Sequence, residues 1–564
     1  MLSAIFALLN LGASFNNLND ALKQTPIGPM VDSGYVAYPS SQLYQNAVDL
    51  GYVTYFGDNQ PEMYPNTVAH LGIPYAERPV GDLRFRATVP LNTTRVTEEA
   101  GGSPVDATSY PDFCIQGQFA GQPGGAGSED CLNVNVYSPY GAKEGDNLPV
   151  LFYIHGGAWI FGNPRGFPFE HWVNQSPNVI IVSVYYRLGS LGFLAAPEFT
   201  DPAYGDFNAG LRDQIQALKW VKSYISKFGG DPTNVTISGH SAGGASVELH
   251  MIVDESKGLF SRVIAQSVGR SALPTPKQQQ PLFESYASLA GCENGSVADQ
   301  MKCLRGANIS ALAFAQDNAL HRDFGYVPIV DGLLITGHPT TKFQCGEFTH
   351  VPLIVGSASN ETLSLSPKLD ISTGLKAFFP SLTDTDIQQF LGLYPIDDFD
   401  SKIQQFQVAT GEPDVICAVS LSLTLLPWAT HPHYSNTWTY RYNTPDPTLN
   451  TKYVTHAAEN WMMFNGTTTG PNGTSTFDPQ TDAQKAFASE LIAYWLSFVR
   501  TGDPNTYKLD KSPVWEKYSE SNLVRMVLTQ QNSATESGNE MEILPLAEFV
   551  RCAFAISKAE ACQH

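Results

Sequence analysis

Gly239-His240-Ser241-Ala242-Gly243 carries a hydroxyl with a glycine two residues away on each side. That G-x-S-x-G pattern suits a strand that turns sharply into a helix, with the serine held in a strained backbone conformation. Bulky side chains at the flanking positions would clash in such a turn. The hydroxyl then stands clear of the sheet, and the start of the helix behind it favours developing negative charge. A serine alone is a weak nucleophile; it needs a base to take its proton and an acid to orient that base. A second group, His155-Gly156-Gly157-Ala158-Trp159, offers something else that acyl transfer requires. Its glycines let backbone N–H groups approach the oxygen of a tetrahedral intermediate. His155 reads as a support for that loop rather than as a reacting group.

Both groups follow predicted strands. Leu148–Ile154 (LPVLFYI) and 179–185 (VIIVSVY) are continuous apolar, β-branched and aromatic runs, as expected of strands covered on both faces. Apolar residues at 211, 215, 218, 221, 225 and 228 predict an amphipathic helix. Gly229-Gly230-Asp231-Pro232 ends it, and 235–237 begins another strand that leads into Ser241. Strand, helix, strand implies a parallel βαβ unit and an α/β fold.

The rest of the chain narrows the setting. Its 564 residues hold 33 Lys+Arg against 54 Asp+Glu, a formal net charge of −21. No basic stripe is present to neutralise phosphates, which argues against nucleic acid and against anionic membrane surfaces. With 43% hydrophobic and 15% charged residues, the chain can bury a large core and is not disordered. No stretch approaches the ~18 apolar residues of a membrane span. Residues 1–14 read as a secretory signal, with an apolar run (LSAIFALLNLG) before Ala13 and Ser14; the first lysine is Lys23, and a natural N-terminal helix is the alternative. Eight cysteines lack C-x-x-C spacing, so no zinc site is expected. Cys114/Cys131, Cys292/Cys303 and Cys552/Cys562 are close sequence pairs that would each close a short loop in an oxidising compartment, leaving Cys345 and Cys417 over. Eight sequons, at Asn92, Asn174, Asn234, Asn294, Asn308, Asn360, Asn465 and Asn472, suit a secreted glycoprotein; Asn234 and Asn360 fall in segments expected to be internal.

An ordered series of longer motifs resembles the type-B carboxylesterase/lipase family, which includes cholinesterases and secreted fungal members. They are GIPYAERPVGDLRF (72–85), EDCLNVNVY (129–137), YIHGGAWIFG (153–162), YYRLGSLGFL (185–194) and the long block 205–247 around Ser241. The resemblance implies an α/β-hydrolase fold: a large, mostly parallel sheet flanked by helices, as one domain over 15–564 with insertions around the active site. It implies a serine ester hydrolase with no metal or organic cofactor, a small-molecule ester as partner, and no integral membrane association. Ser241 matches the nucleophile; the N–H groups of Gly157, Ala158 and Ala242 match the oxyanion donors. Glu361, after the predicted strand 351–355, fits the acid better than Glu347 or Asp370. Among His431, His433, His456 and His564, only His456 matches the family's base, with Glu459 three residues on. Arg84 with Glu129, and Arg187 with Asp231, resemble scaffold ion pairs. Cys114–Cys131 and Cys292–Cys303 resemble family disulfides, and Ser267 resembles a second buried serine near the triad.

Departures from the family bear on substrate choice. His240 stands where Glu is usual, which weakens any preference for cationic alcohols. GGAW replaces GGGF and is expected to put a methyl and an indole near the acyl pocket. The 16 residues between Cys114 and Cys131 (IQGQFAGQPGGAGSED) have hardly any apolar face, whereas fungal lipases of the family carry a longer amphipathic lid there. An esterase on small to medium, soluble or dispersed esters is therefore favoured over a true triacylglycerol or sterol-ester lipase. A non-catalytic cholinesterase-like binding domain is the remaining alternative, and the complete triad argues against it.

Overall fold

The computed structural model describes residues 46–563 except 120–121, 271, 320–324, 362–369, 418–435, 471 and 520. The signal-like segment 1–14 and the histidines His431, His433 and His564 lie outside the described residues. Ten strands form the main sheet: β1 (Thr67–Pro74), β2 (Asn133–Pro139), β3 (Leu148–Ile154), β4 (Ile180–Val184), β5 (Gly230–His240), β6 (Arg262–Gln266), β7 (Leu353–Ala358), β8 (Thr437–Tyr442), β9 (Val524–Leu528) and β10 (Glu540–Ile543). Their spatial order is β1-β2-β4-β3-β5-β6-β7-β8-β9-β10. Every pair from β4 to β9 is parallel, and β1, β2 and β10 join antiparallel at the edges. This is the α/β-hydrolase arrangement.

The helices that matter below are α1 (Ala209–Tyr224), α2 (Ala242–Ile252), α3 (Ile309–Asn318), α4 (Lys402–Gly411), α5 (Asp482–Thr501) and α6 (Leu546–Ser557). The continuous apolar run of β3 serves two cores at once. Val150, Phe152 and Ile154 join one cluster with Leu211, Ile215, Leu218 and Val221 of α1. Leu151 and Tyr153 face the opposite cluster, with Leu491, Trp495 and Phe498 of α5. Alternate side chains point to opposite faces, so a strand covered on both must be apolar throughout. Each such side chain is worth roughly 1.5–3 kcal/mol on burial. The helix expected over 211–228 runs as α1 and then a tighter turn, Ile225–Phe228, ended by Gly229 at φ 90°.

Two pairings differ from expectation. Arg187 binds Asp213 of α1, not Asp231: its guanidinium donates to both carboxylate oxygens at 2.8 and 2.7 Å, deep in the core. Asp231 instead accepts from Thr233 N and Oγ1 at the start of β5. Arg84 does pair with Glu129, at 2.6 and 2.7 Å. Cys114–Cys131 and Cys292–Cys303 are bridged, but the third disulfide is Cys417–Cys552, and Cys345 and Cys562 are free thiols. Cys552 lies in α6 and Cys562 in the short helix Ala559–Cys562 beyond Lys558; the turn after α4 brings Cys417 to Cys552, which leaves Cys562 unbridged.

Candidate active site

The chemistry-bearing groups gather at the carboxyl ends of neighbouring strands, where open parallel sheets place their sites. Ser241 leaves β5 with φ 60° and ψ −124°, a region that non-glycine residues rarely adopt and which costs about 1–3 kcal/mol. Two hydrogen bonds fix it there: its N–H donates to Gln266 O at 2.9 Å, and its carbonyl accepts from Ala245 N at 2.8 Å. The flanking glycines are sterically required. A Cβ on Gly239 would lie 2.5 Å from the Gly243 carbonyl, and one on Gly243 would lie 2.1 Å from Ile154 O.

A continuous hydrogen-bonded chain runs from Ser241 through His456 to Glu361. Ser241 Oγ lies 2.7 Å from His456 Nε2, and His456 Nδ1 lies 2.6 Å from Glu361 Oε2. Glu361 arrives three residues after β7; His456 lies in the connection that follows β8. The other carboxylate oxygen of Glu361 accepts from Ser267 Oγ at 2.5 Å and from Ala358 N at 2.6 Å. Glu347 and Asp370, the other acids considered for this role, have other partners: Lys342 for the first, Thr373 for the second. Burial lowers the proton affinity of His456, but the Glu361 carboxylate, with Asp414 and Glu459 beyond it, more than offsets this and raises its pKa above the ordinary histidine value.

The glycine-rich loop after β3 lies against this chain. A Cβ on Gly156 would meet His240 O at 2.4 Å and Ser241 Cβ at 3.0 Å, so only glycine allows the approach. Gly157 (φ 113°), Ala158 (φ 55°) and Trp159 (φ 58°) carry the loop around. Among the described residues, the N–H groups of Gly157, Ala158 and Ala242 have no protein acceptor. His155 is buried behind the loop, bonded to Gly156 O at 2.9 Å and stacked on Tyr186; burial pushes its pKa down to about 4. Trp159 does not reach toward the acyl side as expected. Its indole turns into the core and donates to Ser246 Oγ on α2 at 2.9 Å.

Behind the serine, His240 is fully enclosed and its ring sits 4.9 Å from that of His456. Burial, and then the neighbouring His456, hold it well below the ordinary histidine range. Burial also lifts Glu459 to about 7, although Gln266 Nε2 and Tyr440 OH both donate to it. Asp414, in the wide turn Glu412–Ile416 after α4, is likewise raised to about 7, first by burial and with Glu361 adding to it. Neither Asp414 nor Gln266 carries a signal in the sequence; only the packing of α4 and β6 brings them near Ser241, His456 and Glu361.

Residues 45–544 match the model of the carboxylesterase family. The chain belongs to that family. Over 508 residues the carboxylesterase is 30% identical to the para-nitrobenzyl esterase of Bacillus subtilis, covering 84% of this chain and 94% of that protein. It is 28% identical to the acetylcholinesterase of Bungarus fasciatus, covering 86% and 83%. The crystal structure of Aspergillus niger EstA superposes with a TM-score of 0.79 at 28% identity, covering 92% of this chain and 99% of that one. The protein is thus a carboxylic-ester hydrolase.

Proposed function

We propose that this carboxylesterase works through Ser241 as nucleophile, His456 as general base and Glu361 as the acid that orients it. The single observation that carries the reading is the unbroken chain from Ser241 Oγ to Glu361, with both links at 2.7 Å or less. His456 takes the Ser241 proton as the hydroxyl attacks the ester carbonyl. Glu361 holds the Nδ1–H tautomer and stabilises the imidazolium that forms. The N–H groups of Gly157, Ala158 and Ala242 receive the oxyanion, usually the largest contribution in such catalysis. The alcohol leaves with the proton from His456, and water repeats the sequence on the acyl-enzyme.

The substrates are small to medium esters that arrive dissolved. Support comes from the described residues between Cys114 and Cys131, which are hydrogen-bonded to the loop that follows β3. Gln116 bonds Gly162 in both directions, at 2.7 and 3.0 Å, and Gly117 N donates to Ile160 O at 2.7 Å. We further read 15–564 as one domain and the protein as secreted. Three disulfides and exposed sequons at Asn92, Asn294, Asn308 and Asn472 suit that compartment. Ser241→Ala abolishes turnover of p-nitrophenyl butyrate and covalent labelling by a fluorophosphonate. Retained turnover would overturn the assignment of the nucleophile.

A further inference from the structure

Asp317 is the last acid of α3, half-buried and one residue from the helix end. A carboxylate there faces the negative end of the helix dipole, an unfavourable position. Among the described residues no Lys or Arg offsets it. Its two oxygens instead each take one backbone N–H from the loop between Cys114 and Cys131: Gln118 N at 2.7 Å on Oδ1 and Gly124 N at 2.7 Å on Oδ2. These bonds bracket Phe119, which also exchanges backbone hydrogen bonds with Gln122 at 3.1 and 2.9 Å. The Phe119 ring rests on Phe161 with centroids 3.9 Å apart. Phe161 in turn closes against the glycine-rich loop. Its N–H donates to Gly157 O at 3.0 Å, and a Cβ on Gly157 would fall 2.0 Å from its carbonyl oxygen. A physical path therefore runs from a helix-end carboxylate, through a pair of aromatic rings, to the loop beside Ser241.

We propose that Asp317 is a positioning residue that clamps this loop, so that Phe119 on Phe161 forms a fixed aromatic lip at the site and substrates are selected by a rigid wall. This rests on the ester-hydrolase reading and names its substrate class: esters whose acyl or alcohol group fits past a lip that does not swing aside. Only a carboxylate supplies two acceptors in this geometry. In Asp317→Asn one acceptor becomes an NH2 group facing a backbone N–H, so one strong bond is lost and the other is strained. Loss of a hydrogen bond to a charged group shifts loop opening by at least about tenfold.

The test has two independent arms. Chymotrypsin digestion, read on reduced gels, reports release of the loop as cleavage after Phe119. The wild type resists at a protease level that nicks Asp317→Asn, while the two share the same circular dichroism and melting curve. In the kinetic arm, Asp317→Asn and Phe119→Ala each raise KM for p-nitrophenyl butyrate about tenfold, with kcat held within about threefold, which is a loss of positioning rather than of chemistry. Asp317→Glu, which keeps two acceptors, recovers part of the loss. Equal protease resistance in Asp317→Asn, or an unchanged KM, would overturn the clamp. Absence of turnover in every form, wild type included, would sink the ester-hydrolase reading instead, and the digestion would still decide the clamp.

Discussion

Glu361→Gln is the most informative single substitution, because the structure dictates which way the new amide must face. Ala358 N–H donates to Oε1 at 2.6 Å and is a backbone group that cannot reverse its role. The carbonyl oxygen of a glutamine must therefore turn toward Ala358, which places the NH2 group opposite His456 Nδ1. Nδ1 can then only accept, so the imidazole proton moves to Nε2, the nitrogen 2.7 Å from Ser241 Oγ. An Nε2–H cannot receive the serine proton. The side-chain volume is unchanged and Ser267 Oγ still donates to the same oxygen, so the fold persists while His456, the proposed base, is held in its wrong tautomer. A loss of about 10⁴ in kcat is expected from such a tautomer error, equivalent to about 5.4 kcal/mol at 1.36 kcal/mol per tenfold. Initial rates on p-nitrophenyl butyrate at pH 8, with the melting curve as control, measure it. A decrease smaller than about tenfold would refute the reasoning, since the imidazole would then be oriented by something other than Glu361.

Three further outcomes follow from contacts described above. The proposed mechanism needs neutral His456, and its pKa is raised, so the acidic limb of kcat/KM falls off at a pH above the ordinary histidine value of about 6.5. Asp414→Asn removes one of the carboxylates responsible and moves the limb to lower pH; a limb unmoved in this variant would exclude Asp414 from the site's electrostatics. Arg187→Ala strips a buried partner from Asp213 and lowers unfolding free energy by about 3–5 kcal/mol in guanidinium titration, whereas Arg78→Ala at the exposed pair with Glu99 costs less than about 1 kcal/mol.

What the sequence made legible was whatever short-range sterics or covered strands dictate. β3 matches its apolar run residue for residue, because a strand packed on both faces tolerates no polar interruption. Ser241 and its glycines were readable because the turn itself excludes a Cβ at Gly239 and Gly243. Glu361 and His456 came from motif order, and their hydrogen bonds follow from where β7 and β8 end. The failures share one cause, which is that partners chosen by tertiary packing leave no trace in spacing. Arg187 finds Asp213 because α1 crosses beneath it, and Cys552 finds Cys417 because α6 docks on the turn after α4. Trp159 follows the same rule: a left-handed backbone at that residue points the indole to Ser246, a direction that composition does not encode.

The spread of the proposed triad along the chain has a consequence during biosynthesis. Ser241 and His456 are 215 residues apart, so at about 5–20 residues per second the ribosome takes roughly 10–40 s to deliver the base after the serine. For that interval the hydroxyl is an ordinary alcohol on an unfinished sheet. The emerging polypeptide therefore crosses the crowded route of its own synthesis without the power to acylate itself. Reactivity is switched on only when the last third of the chain arrives.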